Sequence, residues 1–125
     1  MPLLRIDGND VLGKYVRAMH AFEAKACNFN CDDIRRCEAE LTRDPLTVIV
    51  LERLTQSAAL RTVGAKCDEH GHIIPIVGDG PDDHHRVVAA LRLGFKEINV
   101  RWTDRRAREA MAQAAERYGF PGGRS

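Results

Sequence analysis

A chain of 125 residues, 44% hydrophobic and 30% charged, has the size and balance of one globular domain, and it is long enough to bury a core without metal or disulfide staples. Nineteen Lys and Arg against eighteen Asp and Glu leave a net charge of +1, so no whole-molecule field draws the chain to nucleic acid or to an acidic membrane, and neither partner is expected. The opening Met-Pro-Leu-Leu-Arg-Ile-Asp lacks the apolar centre of a secretory signal, and no apolar run reaches membrane-spanning length; this predicts a cytoplasmic protein whose cysteines, Cys27, Cys31, Cys37 and Cys67, are reduced thiols.

Short apolar runs alternate five times with segments of helical period, without a linker between them. Leu3-Leu4-Arg5-Ile6 reads as a first strand, ended by Asp7-Gly8, and Val11, Leu12, Tyr15, Val16, Met19 and Phe22 recur at the spacings of an amphipathic helix. Ala26-Cys27-Asn28-Phe29 is a weak second strand. Asp32-Asp33 then suits a helix N-terminus, with Ile34, Cys37 and Leu41 as the inward stripe and Arg43-Asp44-Pro45 as the stop. The β-branched run Thr47-Val48-Ile49-Val50-Leu51 does not alternate, which predicts a central parallel strand covered on both faces and ending at Glu52.

A helix capped by Thr55 is expected to run to Gly71, followed by a strand over His72 to Val77 in which Pro75 requires a bulge, a strand start or a free edge. Gly78-Asp79-Gly80-Pro81 turns into a helix carrying Val87, Val88 and Leu91, closed by Gly94. Glu97 to Arg101 is the fifth strand, and Thr103 opens a last helix that reaches Tyr118. Residues 1–119 form the expected domain and residues 120–125 a loose tail. The predicted fold is therefore α/β and flavodoxin-like, a (βα)5 three-layer sandwich around a central five-stranded parallel sheet, with ligands taken at the carboxyl ends of the strands.

Three motifs carry less chemistry than they suggest. Cys67, His70 and His72, with His84 and His85 further on, are metal-ligand types, but their spacing matches no structural zinc pattern, and they read as solvated surface side chains. Cys37 to Arg43 has the Cys-x5-Arg spacing of cysteine phosphatases without a glycine to free backbone amides for a phosphate, so it reads as helix. Arg105, Arg106 and Arg108 are interleaved with Asp104 and Glu109, the pattern of a solvated helix face.

Ile73-Ile74-Pro75-Ile76-Val77, Val87 to Gly94 with its Ala-Leu-x-x-Gly ending, and Ile98-Asn99-Val100-Arg101 together resemble the receiver domain of two-component response regulators. Thinner support comes from Ile6-Asp7, Arg43-Asp44-Pro45 and the apolar run ending at Glu52. The resemblance implies a phosphoacceptor pocket, yet each position departs from the family pattern. Asp7 matches the first magnesium-binding acid, but Gly8 replaces the second, leaving Asn9 or Asp10 to fold back. Glu52 replaces the acceptor aspartate, Gly78 (beside Asp79) the switch hydroxyl, Arg101 the lysine, Ile98 the reporting aromatic, and Trp102 the proline that follows.

This is similar to the degenerate, pseudo-receiver branch of the family. The expected function is a non-enzymatic signal-transduction module that binds a protein partner of a signalling pathway (a kinase, an output domain or a regulator) or a second copy of itself, independently of phosphorylation. Ile98, Trp102 and Arg105 mark the contact face, no cofactor is expected, and magnesium is bound weakly at most. A pairing of Glu52 with Arg101 across the strand ends would hold the switch region in one state. The alternative is a phosphorylatable receiver with an unconventional acceptor carboxylate, Asp7, Asp79 or Glu52.

Overall fold

The structure, a computed structural model, describes residues 3–7, 11–26, 31–53 and 76–103. In chain order these form β1 (Leu3–Arg5), α1 (Val11–Ala26), α2 (Cys31–Arg43), β2 (Val48–Arg53), β3 (Ile76–Gly78), α3 (Gly80–Leu93) and β4 (Glu97–Trp102). The helix ends follow from local chemistry. Asp32 and Asp33 occupy the first turn of α2, where negative charge is favoured, and pair with Arg35 at 2.7 Å and Arg36 at 2.9 Å. Past its end, the Asp44 carboxylate accepts the Leu46 amide at 3.1 Å and builds the turn into β2.

Pro81 lies in the first turn of α3, and Gly94 ends that helix with φ +78°, its amide bonding the Leu91 carbonyl while Phe95 bonds that of Ala90. That pair of bonds is a Schellman motif, which satisfies the last carbonyls of the helix.

The four strands form one mixed, curled sheet in the order β1-β4-β2-β3, a half-barrel. Only β2 and β4 run parallel, with Ile49 opposite Val100; β1 is antiparallel to β4, and β3 is antiparallel to β2. Leu4, Ile49, Leu51, Ile98 and Val100 enter a core closed by Val16, Ile34, Leu41, Val87 and Val88. α3 packs against both α1 and α2. No described helix is long and apolar enough to cross a membrane.

This corrects the expected flavodoxin-like sandwich with five parallel strands. Ala26, placed at the start of a second strand, is the last residue of α1, and no strand separates α1 from α2 among the described residues. Among the described residues, two successive helices lie between β1 and β2. A single crossover helix would return the chain to the end at which β1 began, and that rule no longer applies. β2 is an interior strand as expected but is not covered on both faces at its start, since Val48 is 43% exposed, as is Leu3 at 47% on the far side of β4. The helix expected from Thr55, the strand residues before Ile76, the last helix and the tail lie outside the described residues.

Of the two described cysteines, Cys37 is the reduced thiol expected and Cys31 is not. Cys37 is a free, buried thiol within α2, its pKa pushed up by burial, whereas Cys31 at the start of the same helix is disulfide-bonded.

α2 and α3 are joined by Arg86, whose guanidinium donates to Glu40 at 2.7 Å and to Asp83 at 2.9 Å. The Arg86 hydrogen bond is the main cause holding the Glu40 carboxyl below its ordinary range. All three side chains are largely sheltered, with Asp83 the most so. Arg86→Met is expected to cost about 2 kcal/mol, because it leaves two sheltered carboxylates without their cation. Urea denaturation at neutral pH checks this, and Arg35→Met, at an exposed pair, is expected to change stability by less than about 0.5 kcal/mol.

Candidate functional site

The sheet brings some of the expected pocket together and separates the rest. Leu51 pairs with Gly78, and the Asp79 amide donates to the Val50 carbonyl at 2.7 Å, so the end of β2 meets the start of α3. There Glu52 is half-buried and accepts the Gly80 amide. Burial first, and the neighbouring Asp79 second, raise its pKa. Arg101 is opposite Val50 on the neighbouring strand and is exposed, and no ion pair joins it to Glu52 among the described residues.

Asp7 falls at the other end of the sheet. Because β1 is antiparallel to β4, the end of β1 lies beside the start of β4, where the Asp7 amide bonds the Lys96 carbonyl at 3.3 Å and its carboxylate pairs with Arg5 at 2.9 Å. Gly78 has a structural reason to be glycine: a Cβ there would run into the backbone of Asp83 and His84 in the first turn of α3. The residue that reads as a missing hydroxyl is where β3 and α3 touch.

Of the expected contact residues, Ile98 is buried in the core. Trp102 is half-buried against that core, its indole N–H without a hydrogen-bond partner among the described residues, and Arg105 lies outside them.

Two features were missed. His84 and His85, expected on the surface, are buried at 6% and 5% exposure, and the His84 ring lies 4.7 Å from that of the fully buried His20 on α1. Helical spacing offered a signal, since His84 shares a stripe with Val87, Val88 and Leu91. No group of three or more His, Cys, Asp or Glu side chains arranged to hold a metal occurs among the described residues.

The second feature is a groove of about 590 Å³ between α1 and α3, lined by Arg17, Ala21, Ala24, Lys25, Leu91 and Arg92. Arg17 and Lys25 stand two turns apart on α1 with the two alanines between them. The combination emerges only when α3 is laid alongside. Arg17 donates to the Ile6 carbonyl, and Arg92 lies 4.0 Å from Glu38 of α2. Another cleft, of about 380 Å³ between α2 and α3, mixes both charges: Arg36, Arg43 and Arg86 line it with Glu40 and Asp82, Arg86 bonds Glu40 there, and Arg36 lies 4.0 Å from Asp82.

Comparison with protein-family models, with curated proteins and with solved structures found no match to this chain.

Proposed function

We propose that the chain is a non-enzymatic module that binds a protein partner and whose state is not set by phosphorylation. The observation that carries the second half is the environment of Glu52. A phosphoryl group arriving on a carboxylate adds negative charge, and its transfer depends on cations that neutralise the charge as it develops. Among the described residues the charged group that acts on Glu52 is instead the Asp79 carboxylate, which disfavours ionisation of Glu52. Asp7 is at the far end of the sheet, bound to Arg5. The described strands form a mixed four-stranded sheet, not the five-stranded parallel scaffold on which a receiver pocket depends, and the binding role does not require that scaffold.

Support for the binding role comes from the surface. Leu3 and Val48 flank Asn99 in register and are both substantially exposed, and the Asn99 side-chain amide donates to the carbonyl of Leu46, which is 63% exposed. Exposed apolar side chains gathered in this way are a mark of contact surfaces.

Intact-mass spectrometry after incubation with magnesium and phosphoramidate tests the proposal, with an ordinary receiver as positive control. The expected result is an unmodified mass while the control is labelled. A phosphoryl adduct mapped to Glu52, Asp79 or Asp7 would replace this proposal with the phosphorylatable alternative.

A further inference from the structure

We infer that the α1–α3 groove is the docking site for an acidic amphipathic helix of a partner protein. The inference rests on the binding function proposed above and supplies the chemistry of the partner. The groove has a floor of Ala21, Ala24 and Leu91 and a rim of Arg17, Lys25 and Arg92, with no carboxylate among its described lining residues. Lys25 is exposed and has no ion-pair partner among the described residues.

Small side chains on the floor let a helix backbone approach closely, and cations on the rim complement acidic residues flanking an apolar stripe; this is the helix-in-groove mode of recognition. The lining sets the groove apart from the α2–α3 cleft, since Glu40 and Asp82 line that cleft among its arginines, whereas the carboxylate nearest Arg92, Glu38 at 4.0 Å, is not part of the groove lining.

Nucleic acid fits less well. Binding a single strand combines a cationic track along several phosphates with aromatic platforms for the bases. The groove offers three cations and no aromatic side chain among its described lining residues. The electrostatic part of the attraction is short-ranged at physiological salt, so the rim residues nearest the occupant dominate.

The test uses the full chain and two fluorescein-labelled peptides that share a leucine stripe at helical spacing, one flanked by glutamates and the other by lysines. Fluorescence anisotropy is expected to show saturable binding of the acidic peptide alone. The double substitution Lys25→Glu with Arg92→Glu is expected to weaken it about tenfold, as should a rise from about 0.05 to about 0.5 M salt. Arg35→Glu on α2, outside the groove, is expected to leave binding unchanged. Ala24→Arg, which fills the floor without removing positive charge, is expected to abolish binding while circular dichroism stays native.

Equal binding of both peptides, or indifference to the rim and floor substitutions in folded protein, would overturn the inference. So would tighter binding of a single-stranded oligonucleotide through the same residues. The mass-spectrometric test is independent: an unmodified protein that ignores the acidic peptide loses this partner while remaining a binding module, whereas a phosphoryl adduct removes the module reading itself.

Discussion

Acidification is expected to destabilise this protein through His20. The His20 ring is fully buried in α1, and its Nδ1, 2.7 Å from the Val16 carbonyl, carries a hydrogen and donates it. Its Nε2 is buried without a hydrogen-bond partner among the described residues. Burial is the main cause, and the neighbouring His84 the second, of a pKa pushed down to about 3 from the ordinary 6.5.

The native state therefore holds a neutral ring at pH values where the unfolded chain takes up a proton. The stability is fully present above about pH 6.5 and falls as the pH drops towards 3. Between about pH 6 and pH 4 the loss is roughly 1.3 kcal/mol per pH unit, and about 2.5 kcal/mol in all on going from neutral pH to about pH 4.5, out of a typical total of about 5–15 kcal/mol.

Two carboxyls bear on the same pH range with opposite signs. Glu40, held low by Arg86, contributes stability that is lost only as the pH falls through its depressed pKa, below the usual carboxylate range. Glu52, with its raised pKa, costs stability above that pKa and is relieved by acid. The decline just below neutrality thus belongs to the histidine. Urea midpoints measured at several pH values are expected to fall steeply for the native chain and much less for His20→Leu, which keeps the volume and removes the titrating group. Parallel declines in the two proteins would show that another group binds the proton.

The second large effect lies at two glycines. In an exposed helix, Gly→Ala stabilises by about 1 kcal/mol. At Gly13, within α1, the sign is expected to reverse, because a Cβ would run into the Arg5 carbonyl and crowd the Ile6 backbone, pushing α1 off β1. At Gly78 it would meet the backbone of Asp83 and His84, parts of a helical turn that cannot swing aside.

Each substitution to alanine is expected to cost about 3 kcal/mol, the upper range for overpacking. Gly80→Ala is the control. That residue has φ +69° but open space around it, so the cost is conformational and about 1 kcal/mol. Thermal denaturation of the three variants separates these causes. A Gly78→Ala variant no less stable than Gly80→Ala would contradict the close approach of β3 and α3. Gly78→Ser, which restores the hydroxyl of the receiver pattern, is expected to behave like Gly78→Ala.

These two sites also show what local sequence can and cannot carry. The ends of α2 and α3 are legible because Asp32-Asp33, Asp44-Pro45, Pro81 and Gly94 act on the backbone within a turn of themselves. β2 and β4 are legible as apolar runs. Strand direction is not, because a run reads alike whichever way it is laid in a sheet. Direction here depends on whether a strand or a second helix follows α1, which rested on the weak stretch beginning at Ala26.

The candidate pocket failed at the same point. Glu52, Gly78 and Asp79 are close in space because β2 and β3 are neighbours, while Asp7 was assigned to them by an assumed parallel β1. The buried histidines were hidden because a His cluster without zinc-ligand spacing reads as surface, although the helical stripe places His84 inward. The α1–α3 groove depends on the docking of two helices distant in the chain and has no local signature.

Amide NMR chemical-shift mapping of the full chain during titration with the acidic peptide tests the protein-binding claim most directly. The expected result is a set of saturable shifts along residues 17–25 of α1 and at Leu91 and Arg92, with the amides of Gly78, Asp79 and Gly80 unmoved. Shifts confined to the strand end around Glu52 and Asp79, with the groove silent, would contradict it and return the strand end to the centre of the protein's function.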